Sequence, residues 1–125
     1  MLQTVLLISL GAVIGANLRY FVAQYVQKLI PSDFPFGTLV INISASFILG
    51  LFLVWTSERV LADPRWRLFI AVGFCATYST YSSYAYETFA LFEKGHLPLA
   101  ALNILGTNVV CFISVALGAA LARSL

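Results

Sequence analysis

Charge is what this chain has least of. Only 10% of its 125 residues are Asp, Glu, Lys or Arg, against about 25% in a soluble globular domain. With 61% hydrophobic residues, the shortfall marks a membrane protein. A formal net charge of +2 is too small to hold a polyanion, so no nucleic-acid partner is expected. Histidine occurs once, as His96 beside Glu93 and Lys94. No His and carboxylate pair therefore has metal-ligand spacing, and His96 reads as a solvated loop residue. The two cysteines, Cys75 and Cys111, fall inside apolar runs. They read as buried packing residues with no disulfide between them. There is no glycine-rich nucleotide loop. The few carboxylates stand at or beyond the ends of the apolar runs, which argues against proton-coupled transport through a buried acid. The first run has no basic region before it and no small-residue cleavage site, so no removed signal peptide is expected. An enzyme is hard to build from these parts, and none is expected.

What the chain has is apolar length. Four runs, residues 5–25, 36–56, 68–89 and 97–121, can each cross a hydrocarbon core of about 30 Å at about 1.5 Å per helical residue. Pro31, Pro35, Pro64 and Pro98 lie at or near the joints, where proline does least harm to a helix. Short joints force neighbouring helices antiparallel and put both termini on one side. The expectation is an all-α membrane protein, a single domain over residues 1–125, with four transmembrane helices in the lipid bilayer. Arg59, Arg65, Arg67 and Arg123 fall on the side of the termini, and Lys28 and Lys94 on the other. This leans weakly toward cytoplasmic termini and is compatible with insertion in both orientations.

The third run is unlike the others. From Gly73 to Glu87 it sets Thr77, Ser79, Thr80, Ser82 and Ser83 among Tyr78, Tyr81, Tyr84 and Tyr86. Polar groups at membrane depth are costly unless they bond to protein or line a wet cavity. The density of Ser and Thr, with few strong helix formers, predicts a helix broken in its middle. Backbone carbonyls freed near Ala76 and Ser79 could then hold a cation. The competing reading is an intact helix whose hydroxyls bond back one turn. Glu87, Tyr84 and Tyr86 sit near the end of the run, where interfacial water and aromatic belts offer a plain account of them.

Polar residues punctuate the other runs too. Gly11 and Gly15 have the small-xxx-small spacing of close helix packing. Arg19 follows; snorkelling to an interface is its simplest account. Asn42, alone near the middle of the second run, is either interhelical glue or a pore-facing donor. Asn103, Thr107 and Cys111 recur every four residues and share a face of the fourth run, with Asn108 and Ser114 off that stripe. Such a stripe lines either a hydrated path or a helix seam.

Taken together, the residues resemble the Fluc (CrcB) fluoride channels. The likeness rests on Gly11 and Gly15-Ala16-Asn17-Leu18-Arg19-Tyr20, on Gly37-Thr38-Leu39-Val40-Ile41-Asn42, on Phe47-Ile48-Leu49-Gly50, and on Gly73-Phe74 with the hydroxyl and aromatic run to Glu87. Their order, spacing and placement on four spans cover essentially the whole length. The resemblance implies an antiparallel, dual-topology homodimer with two pores, in the plasma (inner) membrane of a prokaryote, that lets cytoplasmic fluoride leave passively. It implies a structural Na+ at the dimer centre, on the backbone carbonyls of Ala76 and Ser79. It places Asn42, Thr80, Tyr81, Tyr84, Asn103, Thr107 and Cys111 along the fluoride path, and Arg19 and Glu87 in structural or vestibule roles. The ring positions would offer electropositive edges to the anion as a stacked pair. Here both are tyrosine where the family usually has phenylalanine, so an O–H could bind the anion instead. Ala76-Thr77 replaces a usual glycine pair, and glycine adopts unusual backbone angles more readily. Ala45 replaces another glycine. Two alternatives stand beside this reading. One is a non-conducting or heterodimeric partner subunit. The other is a small multidrug-type exporter, which needs an acid in the first span that this chain lacks.

Overall fold

The computed structural model describes residues 1–59 and 63–125, so part of the second joint and the side chain of Arg59 lie outside the description. Six α-helices and two π-helical stretches follow in order, with no strand among the described residues. Helix α1 (Leu2–Leu29) ends before the Pro31 turn, and α2 (Phe36–Val54) begins straight after Pro35. A π-helical turn, Trp55–Arg59, prolongs α2. Asp63 caps the short α3 (Pro64–Arg67), its carboxylate accepting from the Arg65 amide at 2.9 Å; proline fits that first helical position because its missing N–H is not needed there. A π-helical stretch, Leu68–Cys75, leads into α4 (Ala76–Tyr78). After a two-residue break come α5 (Tyr81–Glu93) and α6 (Leu97–Ser124). Gly95, with φ of 77°, turns α5 into α6; this left-handed angle is where glycine is wanted.

Among the described residues, three helices are long and apolar enough to cross a membrane: Leu2–Leu29, Phe36–Glu58 and Leu97–Ser124. The sequence-based runs 5–25, 36–56 and 97–121 all fall inside them. The run 68–89 is divided among the pieces from Leu68 to Glu93, as its composition foretold.

Close approach of backbones sets the packing. A Cβ on Gly11 would collide with the Phe69 carbonyl and the Phe74 amide, which seats α1 on the π-helical stretch. A Cβ on Gly118 would likewise meet the Phe47 carbonyl, which joins α6 to α2. The pairs Ile43 with Ser114, Phe47 with Gly118 and Glu58 with Arg123 advance together, so α2 and α6 run parallel. Gly37 against Ala23 makes α1 and α2 antiparallel. Gln3 lies by Asp63 and Arg65, and Arg123 pairs with Glu58. Both termini thus share one end of the molecule, as the short joints required. At the other end Asp33 sits 3.9 Å from Lys94 and 3.5 Å from His96, in the loop expected for that histidine.

The surface is inverted relative to a soluble protein. Phe21, Leu105, Phe112 and many other large apolar residues point outward, while the buried set includes Thr38, Thr88, Asn103 and Ser114. Small and polar residues at helix contacts, with an apolar exterior, suit a lipid solvent.

Candidate functional site

The break between α4 and α5 is built by hydrogen bonds that replace helical ones. Ser79 (ψ 160°) and Thr80 (φ −151°, ψ 122°) are extended. Asn42 on α2 brackets Thr80: its Oδ1 accepts the Thr80 amide at 2.9 Å, and its Nδ2 donates to the Thr80 carbonyl at 3.1 Å. Thr80 then caps α5, its hydroxyl oxygen accepting the Ser83 amide at 3.1 Å, the usual way a helix start satisfies an orphan N–H. Two amides are thereby diverted. An unbroken helix would aim the Thr80 amide at Ala76 and the Ser83 amide at Ser79. The carbonyls of Ala76 and Ser79 lose those donors.

The break does not need glycine. Ala76 has ordinary right-handed helical angles (φ −68°, ψ −26°), and Gly95 is the one positive-φ residue among those described. Ala76-Thr77 is therefore compatible with the bent path. Hydroxyl back-bonding also occurs: Thr77 donates to the Gly73 carbonyl at 2.7 Å and Ser79 to that of Cys75 at 2.9 Å. The hydroxyls bond back one turn, but the helix is not intact: it breaks at Ser79 and Thr80.

A cavity of about 390 Å³ opens beside the break. It brings together Asn42, Ala76, Ser79, Thr80, Tyr81, Tyr84, Thr107 and Cys111. Its walls come from α2, the third run and α6. Tyr84 is buried at 7% exposure, whereas Tyr81 is 79% exposed on this single chain. Their ring centroids lie 5.4 Å apart with planes at 53°. The rings are tilted rather than stacked, so Tyr81 turns toward the open side while Tyr84 lies within.

Three expected site residues lie elsewhere. Asn103 is buried in the α5–α6 seam at 1% exposure. Its Nδ2 donates to Thr88 Oγ1 at 2.8 Å, Thr88 donates to the Tyr84 carbonyl at 2.7 Å, and Thr107 donates to Asn103 Oδ1 at 3.0 Å. The fourth-run stripe is thus a seam at Asn103 and a cavity wall at Thr107 and Cys111. Glu87 does not reach interfacial water with both oxygens. Its Oε1 accepts from Thr38, in the first turn of α2, at 2.9 Å, and its Oε2 is enclosed without a partner among the described residues. The positive end of the α2 dipole favours a carboxylate there. Arg19 lies mid-α1, part-exposed, off the cavity and with no ion pair among the described residues.

One further residue lines the cavity and another braces the segment beside it. Asn108 lines the cavity, donating to the Ile104 carbonyl at 2.7 Å and to the Tyr84 hydroxyl at 3.4 Å. Its place next to Thr107, off the four-residue stripe, hid it from a reading by periodicity. Ser44, whose hydroxyl lies 3.0 Å from that of Tyr78, ties the piece before the break to α2.

A cation site here has to be made of neutral oxygens, because no cluster of three His, Cys, Asp or Glu side chains exists among the described residues. The Ala76 carbonyl stands on an exposed residue and that of Ser79 on a half-buried one. Carbonyls of an unwound segment are the right donors for a hard monovalent ion.

The sequence model described as "CrcB-like protein, Camphor Resistance (CrcB)" matches residues 6–119. This chain belongs to the CrcB family. A relative from Koribacter versatilis (strain Ellin345), named fluoride-specific ion channel FluC, is 51% identical over 118 residues, covering 94% of each chain. Another of that name, from Sulfurihydrogenibium sp. (strain YO3AOP1), is 42% identical over 124 residues, covering 99% of this chain and 100% of its own. The CrcB match therefore takes in all three long apolar helices and the broken run between them, which makes the chain a multi-pass membrane protein.

Proposed function

We propose that the chain is the subunit of a fluoride-selective channel through which cytoplasmic fluoride leaves passively. The observation that carries this is the cavity at the break, lined by most of the polar and aromatic residues expected along a fluoride path, in a chain whose full-length relatives are named fluoride-specific ion channels. Asn42 has one Nδ2 hydrogen left after bonding Thr80, and it borders the cavity. That hydrogen, the Thr80 hydroxyl and the two tyrosines are the donors for a partly dehydrated anion; Thr107 and Cys111 continue the wall.

The broken third run acts as a fourth crossing, and two copies associate in opposite orientations, giving two pores. The Ala76 carbonyl and the Tyr81 hydroxyl support this: both stand on exposed residues, and lipid offers neither of them a hydrogen-bond partner. A Na+ at the dimer centre would be held by the carbonyls of Ala76 and Ser79 and would supply a fixed positive charge between the pores. The same exposed residues also suit a paralogous partner in a heterodimer, which is the second reading. The host membrane is the plasma (inner) membrane of a prokaryote, in keeping with the bacterial relatives.

The test is efflux from liposomes loaded with potassium fluoride, with valinomycin present and chloride run in parallel. Fluoride release without chloride release is expected from the purified chain alone. A folded dimer that releases neither overturns the homodimeric channel and turns attention to a partner subunit.

A further inference from the structure

The geometry points to the Tyr84 phenol as a proton donor to the anion, and to Asn108 as the residue that positions it. The inference rests on the fluoride-channel reading and deepens it.

The argument is an account of protons. Several hydroxyls border the cavity, and two of their protons are committed within the chain. Ser79 donates to the Cys75 carbonyl at 2.9 Å, and Thr107 donates to Asn103 Oδ1 at 3.0 Å. Tyr84 differs. Asn108 Nδ2 lies 2.7 Å from the Ile104 carbonyl. A carbonyl only accepts, so the amide nitrogen, not the amide oxygen, occupies that position. The same nitrogen lies 3.4 Å from the Tyr84 hydroxyl. An amide nitrogen cannot accept a hydrogen bond, so at this contact the phenol oxygen is the acceptor. Its single proton has to point elsewhere. No acceptor for it is found among the described residues, and the residue is only 7% exposed. Asn108 occupies the oxygen of this buried side chain but leaves its proton without an acceptor, and the cavity the residue lines is where an acceptor can sit.

The partner this chemistry fits is a small, basic anion. A phenol is a stronger hydrogen-bond donor than an aliphatic hydroxyl or an aromatic C–H edge. Hydrogen bonds to an ionised acceptor are roughly twice as strong as neutral ones. Fluoride is the most basic halide and gains most from such a donor, whereas chloride gains little. Asn108 contributes twice. It occupies the phenol's acceptor side, and by donating to that oxygen it strengthens the phenol as a donor in turn. The tyrosine substitution therefore replaces ring-edge recognition with O–H recognition at the inner ring, and Asn108 sets its direction.

The experiment has two readouts on the full-length protein. In detergent, potassium fluoride is titrated while near-ultraviolet tyrosine absorbance is followed, with potassium chloride as the control. A saturable red shift with fluoride alone is expected, lost in Tyr84→Phe and kept in Tyr81→Phe. In liposomes, Tyr84→Phe keeps the ring and its packing, yet should raise the half-saturating fluoride concentration about tenfold. Asn108→Leu should raise it about threefold in the wild-type background and not at all in Tyr84→Phe, because the two act through one proton. A shift that survives in Tyr84→Phe, or an Asn108→Leu effect of equal size in both backgrounds, overturns the donor assignment while leaving the channel intact. Absence of fluoride transport by the wild-type protein overturns both.

Discussion

Two asparagines serve two regions of this molecule in opposite ways. At the break, Asn42 spends its amide on the backbone of Thr80, and backbone groups nearby are set free. In the α5–α6 seam, Asn103 spends its amide on the side chains of Thr88 and Thr107 and takes no backbone partner. Both are polar residues at membrane depth with both amide atoms engaged. The first holds open an irregular segment that cannot satisfy itself. The second fastens two regular helices that already do. Polarity in a span therefore does not mark a pathway by itself; what matters is whether it leaves unspent groups facing a cavity.

Several changes would break or sharpen this contrast. The largest effect is expected at Asn42. Asn42→Ala orphans both the amide and the carbonyl of Thr80, at about 1–3 kcal/mol each, and should cut fluoride flux about a hundredfold or more. Asn42→Asp keeps the acceptor but not the donor, and its flux should fall between those of Asn42→Ala and the wild type.

Next comes the seam. Asn103→Leu has similar volume and leaves Thr88 able to donate to Tyr84, so about 1 kcal/mol of stability should be lost. A lowered Tm with flux within a few-fold of wild type is the expected pattern. A flux loss as large as that of Asn42→Ala at unchanged Tm would place Asn103 in the pathway after all.

Thr80→Val removes the helix cap while keeping the shape. It should cost about 1 kcal/mol and loosen α5 at Tyr81 and Ser82, which faster amide exchange there would report.

The smallest effect lies far from both regions. The Arg65 guanidinium beside Asp63 holds that carboxyl below the usual aspartate range. Its folded pKa is thus depressed, so whatever the pair adds is present above the unfolded pKa and is lost as pH falls through the folded one. Because the pair is exposed to solvent, Asp63→Asn should leave Tm nearly unchanged at neutral pH.

Much of the fold could be read from residue order. Apolar length gave the long helices, and proline placement gave the joints. The crowding of Ser, Thr and Tyr between Thr77 and Tyr84 gave the broken third run. Other features depended on partners far apart in the chain. Asn42 and Thr80 are separated by 38 residues, so glue and pore donor could not be told apart before the two were brought together. Glu87 reads as interfacial by its position, yet it turns inward because Thr38, 49 residues away, waits at the start of α2. The stripe of Asn103, Thr107 and Cys111 was correct as helix geometry. Its division into seam and wall follows from Thr88 on α5 meeting Asn103 while Thr107 and Cys111 face the cavity, which periodicity does not encode. Ala76 in place of glycine needs no special angles, because the bend falls on Ser79 and Thr80, in extended conformations open to any residue.

The most direct test of the central claim sets the two asparagines side by side. Asn42→Ala and Asn103→Leu would be purified, checked for the same assembly state as wild type, and compared for fluoride efflux in one liposome preparation. The account predicts that Asn42→Ala releases fluoride no faster than empty liposomes, while Asn103→Leu stays close to wild type. Near-wild-type efflux from Asn42→Ala would contradict it, because the bracketed break would then be dispensable to the pathway it is held to create.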